Sequence, residues 1–135
     1  LIEAVAVLVI IGVLAAVVVA RTGSTGAGLV VEQDILKAHL RYAQGLAMAN
    51  NTAVWSVQVN AGGYTLRRDG AVSPIAWPDA ASATRNFAGG VSVIQGAGEI
   101  VFDALGAPAM THVIRLGDGD AERTVTVTGF TGLIP

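Results

Sequence analysis

The chain has 135 residues, 53% of them hydrophobic, which fits one domain plus an extra apolar segment. It has no cysteine, so disulfide frameworks and thiolate metal sites are excluded. Lysine and arginine number 8 against 10 acids, a net charge of −2, which gives no global attraction to nucleic acid.

The first predicted element is an apolar arm over residues 1–21. Leu1-Ile2-Glu3 leads into Ala4 through Ala20 without a charged or polar side chain, and Arg21 closes the run. At about 1.5 Å rise per residue, about twenty helical residues span the roughly 30 Å of a bilayer core. The segment therefore belongs in lipid or against other apolar helices. It is read as part of the mature protein, because it is longer than a signal core and lacks a basic leader. Glu3 is the unusual residue. A lone carboxylate at mid-membrane costs at least about 2.5–3.5 kcal/mol and usually has a partner. Two readings stand: solvation at headgroup level, or pairing with a cation of another chain.

Thr22-Gly23-Ser24-Thr25-Gly26-Ala27-Gly28 follows. Each glycine costs a helix about 1 kcal/mol relative to alanine. Residues 22–28 are therefore expected to be a non-helical linker, with Gly23, Gly26 and Gly28 giving it flexibility. A second helix is predicted from Leu29 or Val30 to about Asn50. Val31, Ile35, Leu36, Ala38, Leu40, Tyr42, Ala43, Leu46 and Ala47 make its apolar arc. Glu32 and His39 interrupt that arc. They mark its rim or serve a contact between subunits.

The rest reads as strands and turns. Val54–Val59 alternates with Trp55, Val57 and Val59 on one face, and Asn60–Gly63 turns into Tyr64–Arg67. Arg68-Asp69-Gly70 turns again, and Ser73–Asn86, with two prolines and Trp77, reads as a loop. Val91–Ile94 and Glu99–Phe102 are short strands, and Asp103–Pro108 is a turn. His112–Leu116 and Thr124–Thr128 form a second hairpin around Gly117–Asp120. Strands after a helix, joined by short loops, predict an antiparallel sheet packed on it. The expected fold is α+β: an apolar N-terminal helix, a glycine-rich break, then a head over 29–135 with an amphipathic helix on an antiparallel β-sheet.

The arm carries a family resemblance. Leu1-Ile2-Glu3, then Val7-Leu8-Val9-Ile10-Ile11-Gly12-Val13-Leu14-Ala15-Ala16, resembles the N-terminal signature of type IV pilins and type II secretion pseudopilins. Glu3 and Gly12 fall on that family's glutamate and glycine. The family's Phe-Thr would precede Leu1, so the mature chain is expected to start upstream. The family's proline near Ala20 is absent, and no disulfide can close a C-terminal loop. Within the head, Leu40-Arg41-Tyr42-Ala43-Gln44-Gly45-Leu46-Ala47, Phe102-Asp103-Ala104-Leu105-Gly106 and Thr128-Gly129 resemble H-type minor pseudopilins.

The resemblance implies a homo-oligomeric helical filament built through the apolar arm, with Glu3 and Gly12 as assembly residues. It implies an inner-membrane precursor, a prepilin peptidase, and a pilus or secretion assembly machinery as partners. The finished filament would be extracellular, or periplasmic for a pseudopilin. A minor pseudopilin of a type II secretion system and a single-pass membrane-anchored binding domain are the alternatives.

No catalytic constellation is present. His39 and His112 lack metal-ligand spacing, and no serine sits in a nucleophile elbow. Asp118-Gly119-Asp120 with Glu122 suggests calcium only weakly, since Asp-Gly turns are common in hairpins. The expectation is no enzyme, no cofactor and no metal. Some relatives of the resembling group bind DNA, but only Arg67-Arg68 are adjacent basic residues here, beside Asp69, so no strong nucleic-acid binding is expected.

Overall fold

The structure, a computed structural model, describes residues 1–22 and 26–135, with the backbone alone for 19–22. Two helices precede eight strands: α1 (Ile2–Thr22), α2 (Ala27–Ala49), β1 (Trp55–Asn60), β2 (Gly63–Arg68), β3 (Ala71–Val72), β4 (Thr84–Asn86), β5 (Ser92–Gln95), β6 (Gly98–Phe102), β7 (His112–Gly117) and β8 (Glu122–Val127). The fold is α+β with antiparallel pairing throughout.

The side chains of residues 1–18 are all exposed. Among the described residues no helix is long and apolar enough to cross a membrane.

Helix α2 starts earlier than expected. Gly26 takes φ 68°, a left-handed conformation that separates it from what precedes, and the helix begins at Ala27. Gly28 is therefore a helical residue of the first turn and not part of a linker. A glycine there costs little compared with burying Leu29, which is fully covered. The helix ends at Ala49 with Asn50 as C-cap, its N–H returning to the Leu46 carbonyl at 3.0 Å.

The buried stripe of α2 is Leu29, Glu32, Leu36, His39, Leu40, Ala43 and Ala47. Val31 and Ala38, assigned to the apolar arc from periodicity, are exposed. The true stripe is rotated toward Glu32 and His39 because those two polar side chains find partners inside the head.

Where one sheet was expected there are two. The first has the order β3-β2-β1-β6, with β4 also pairing β2, and the second has the order β5-β7-β8. Helix α2 touches β1 and β6 of the first and β7 and β8 of the second, so one helix closes both. Trp55, Val57, Val59, Leu66, Ile100 and Phe102 from one sheet meet Ile114, Leu116, Val125 and Val127 from the other in a single core.

The β1–β2 turn at Ala61-Gly62 joins the sheets. The Gly62 carbonyl accepts from the Phe87 N–H and the Ala61 carbonyl from the Val93 N–H, both at 2.9 Å. The β2–β3 turn places Asp69 at φ 51° and Gly70 at φ 79°, the paired positive φ values of a tight hairpin turn.

The segment read as a loop over 73–86 contains strand β4. Thr84-Arg85-Asn86 is too short to show a period. It forms because the β2 edge offers unpaired groups, with Tyr64↔Arg85 and Thr65↔Thr84 in register.

Candidate functional site

Glu3 lies in the first turn of α1, where the helix dipole favours a carboxylate. Among the described residues it has no hydrogen-bond or ion-pair partner. Among the described residues a Cβ added at Gly12 would meet nothing within 4 Å, so none of them requires glycine there. Gly23 lies outside the described residues. Gly26 is the left-handed N-cap of α2 and Gly28 is in its first turn. Among the described residues these positions fall in two places, Glu3 and Gly12 on α1 and Gly26 and Gly28 at the start of α2.

The head holds two polar clusters that sequence reasoning did not assemble. The first lies midway along α2. Glu32, only 5% exposed, takes both guanidinium nitrogens of Arg85 on β4, at 3.2 and 3.4 Å. One turn pair further on, His39 stacks on Trp77, with centroids 4.5 Å apart and planes 3° from parallel. Its Nε2–H donates to Asp79 Oδ1 at 2.7 Å, and Nδ1 lies 2.8 Å from the Tyr64 hydroxyl. An ionised carboxylate only accepts, so the proton sits on Nε2 and Nδ1 accepts from Tyr64. Burial lowers the His39 pKa below its ordinary value, against the pull of Asp79. Burial also pushes the Tyr64 hydroxyl well above its ordinary value.

These contacts clamp residues 73–86 across α2. Trp77 is fully buried beside Tyr64 and Tyr42. Among the described residues the indole N–H groups of Trp55 and Trp77 have no hydrogen-bond partner, so their rings are held through their faces: Trp77 by the His39 stack and Trp55 beneath the Arg68 guanidinium. Glu32 and His39 are therefore not rim residues. They are buried anchors with partners on β2, β4 and the intervening segment. The signal in the sequence was their intrusion into an apolar arc, together with a tryptophan in a proline-containing stretch.

The second cluster lies at the C-terminal end of α2. Gln44 donates to the carbonyls of Gly106 at 2.7 Å and Gly132 at 2.5 Å. Arg41 donates to the Ile134 carbonyl at 2.8 Å. Asp103 Oδ1 accepts from the Leu105 and Ala107 N–H groups, both at 2.9 Å. Gly106 and Gly132 adopt φ 75° and 67°. A Cβ at Gly129 would sit 2.7 Å from the Met110 backbone. The short head motifs thus have one job: they knit the 103–111 turn and the 128–134 segment onto α2.

The basic residues do not converge. Arg67 pairs with Glu99 at 3.3 Å, while Arg68 lies over Trp55 and 3.8 Å from Asp69. The acidic loop is a hairpin device. Asp118 Oδ1 accepts from Asp120 and Ala121 N–H, which lowers its pKa, and Glu122 pairs with Arg115. Among the described residues no group of three His, Cys, Asp or Glu is placed to hold a metal.

The family profile described as type II transport protein GspH matches residues 33–132. The chain belongs to the GspH family. The match begins within α2 and ends in the C-terminal segment, so it takes in all eight described strands and most of both polar clusters, leaving out Glu32 and Ile134. In three dimensions the family head resembles two crystal forms of the Pseudomonas aeruginosa type IV minor pilin FimU. The form in P21 gives a TM-score of 0.55 at 19% identity, covering 76% of this chain and 83% of that one. The form in P65 gives 0.54 at 18%, covering 76% and 87%. No protein of curated function matches in sequence. The pilin and pseudopilin resemblance of the arm and the minor-pseudopilin resemblance of the head thus agree with an independent family match and fold.

Proposed function

We propose that the chain is a structural subunit of a pilus-like or type II secretion filament, carried into it by α1. The observation that supports this most is the contrast between the two parts. The head closes its own core, whereas α1 leaves every large apolar side chain from Leu1 to Val18 exposed. In water that surface needs a cover, and a bundle of identical helices supplies one. Head contacts that do not close on themselves then extend the bundle into a helical array.

Glu3 is the register residue of this reading. A carboxylate at the end of an apolar helix, without a partner among the described residues, is matched by a neighbour's terminal amine. Gly12 allows close approach of a second helix, since the space beside it is open. The inner-membrane precursor, prepilin peptidase processing and an extracellular or periplasmic destination belong to the same proposal. The reading is structural and needs no enzymatic activity.

The family match favours a minor subunit over a major one, because the matching description is that of GspH. Quantitative mass spectrometry of sheared filaments separates the two: a minor subunit is present at a small fraction of the main band. Glu3→Ala and Glu3→Gln test assembly. Both should leave membrane-fraction recovery intact and depress filament incorporation. Incorporation equal to the parent's would remove the register role.

A further inference from the structure

Residues 74–82 form a loop whose two ends meet on one residue of β2. The Ser73 N–H donates to the Leu66 carbonyl at 2.9 Å, and the Leu66 N–H donates to the Ala83 carbonyl at 2.8 Å. Loops of this size with adjoining ends pack through their own side chains. Here one side chain does so: between Ser73 and Ala83 only Trp77 is buried. The Trp77 N–H donates to the Ser82 carbonyl at 3.2 Å and the Ala80 N–H to the Trp77 carbonyl at 3.1 Å. The loop therefore carries its own turn, hinged at Leu66.

Its hold on α2 runs through one imidazole. Trp77 stacks on His39, and Asp79 accepts from His39 Nε2–H; among the described residues that is the one hydrogen bond from 74–82 to α2. The hold is also incomplete. Among the described residues the buried indole N–H of Trp77 has no partner, a desolvation that opening would relieve, and the Asp79 side chain is already half exposed.

The protons around His39 are fully allotted. Tyr64 gives its hydroxyl hydrogen to Nδ1, and Nε2–H goes to Asp79. A second proton on the ring turns Nδ1 from acceptor to donor. The Tyr64 oxygen can take that bond, but its own hydrogen then needs a new acceptor. Tyr64 is 1% exposed, and among the described residues no other acceptor is placed at its hydroxyl. Charge bears on the same ring. Burial and Arg85 on β4 oppose the imidazolium, whereas Asp79 on the loop and Glu32 on α2 favour it, and burial prevails. With the loop swung out, water supplies the missing acceptor and hydrates the cation.

We propose that His39 is a proton-operated latch: a second proton on its ring releases the 74–82 loop from α2 while the rest of the head stays folded. The latch is independent of the filament reading, since every residue in it lies in the head. Opening uncovers Trp77 and the faces of Tyr42 and Tyr64 that it packs against. Acid favours the open loop because the ring binds its second proton more readily there. One proton changes the opening constant by at most about tenfold per pH unit, from 6.5 downward.

Acrylamide quenching of Trp77 tests this on the full-length chain in neutral detergent. Trp55→Phe leaves Trp77 as the only tryptophan. The quenching constant should rise about threefold or more from about pH 7.5 to about pH 5, within the limit for one proton. Far-ultraviolet circular dichroism should stay unchanged over that range. His39→Gln should flatten the profile. Asp79→Asn removes a carboxylate that favours the imidazolium, so its acid response should exceed the parent's. A flat parent profile would overturn the latch. So would an undiminished response in His39→Gln, which would assign the titration to His112 or a carboxylate. Loss of helical signal in step with quenching would overturn it too, since the head would then be unfolding as a whole. An Asp79→Asn response no larger than the parent's would do the same, and it decides the matter if His39→Gln does not fold.

Discussion

Removing the Arg85 guanidinium should destabilise the head far more than its surface position on a three-residue strand suggests. The Arg85 side chain is 17% exposed and Glu32 only 6%. Arg85→Ala leaves the Glu32 carboxylate buried among Leu29, Leu36 and the aromatic cluster without its counter-charge. Breaking such a pair by removing one partner costs about 3–5 kcal/mol, mostly the desolvation of the stranded ion. Contact distances of 3.2 and 3.4 Å are long for a charge-assisted bond, so the lower end, about 3 kcal/mol, is expected. At about 3–5 °C per kcal/mol for a domain of this size, the melting temperature should drop about 10–15 °C. Near-ultraviolet circular dichroism in detergent reads this through Trp55 and Trp77. The double variant Glu32→Leu with Arg85→Met should recover most of the loss, because apolar replacement of both ions removes the stranded charge. A drop below about 3 °C for Arg85→Ala would refute the buried-pair argument. So would a double variant as unstable as the single one.

Acid should loosen the clamp over α2. Burial lowers the His39 pKa below 6.5, so the folded state favours the neutral ring, and its stability is lost as pH falls below 6.5 toward the folded value. Asp79, Glu32 and Arg85 face the same ring, and His112 is shifted the same way. The melting temperature should therefore be lower at pH 5.5 than at 7.5, and His39→Gln should shrink that difference; an unchanged difference would place the titration elsewhere. Gly132→Ala should free the C-terminal segment. Its Cβ would collide with the Gly106 carbonyl and come within 2.6 Å of Gln44 Nε2, at a φ of 67° that disfavours alanine. Faster proteolysis after residue 128 and a loss of about 2 kcal/mol are expected, measured by limited digestion and thermal melting. Duplex DNA should bind weakly at about 150 mM salt, because Arg67, Arg68 and Arg41 are engaged by different partners. Salt-sensitive submicromolar binding in fluorescence anisotropy would contradict this.

Local chemistry made the arm and much of the head legible. The apolar run named α1, the alternation of Trp55, Val57 and Val59 named β1 and its inward face, and Asp69-Gly70 named a tight turn. Each of these is a property of a few neighbouring residues. The pairing of β4 was not legible, since three residues carry no period and the edge that recruits them is some twenty positions away. Glu32 and His39 were visible as intrusions on an apolar arc, but their meaning lay in Arg85, Asp79, Tyr64 and Trp77, all distant in sequence.

The sequence by itself determined that this chain has an uncharged apolar arm with one acid near its start, an amphipathic helix and a run of antiparallel strands. Periodicity and charge placement are written in order along the chain, and water enforces them locally. The tertiary structure alone decided that two sheets share one helix and that α2 rotates its polar intruders inward. It also decided that the last residues return to the end of α2. Those outcomes depend on which buried polar groups meet partners and which carbonyls Gln44 and Arg41 reach. Long-range satisfaction of hydrogen bonds and charge sets them, and no window of the sequence contains both members of any such pair.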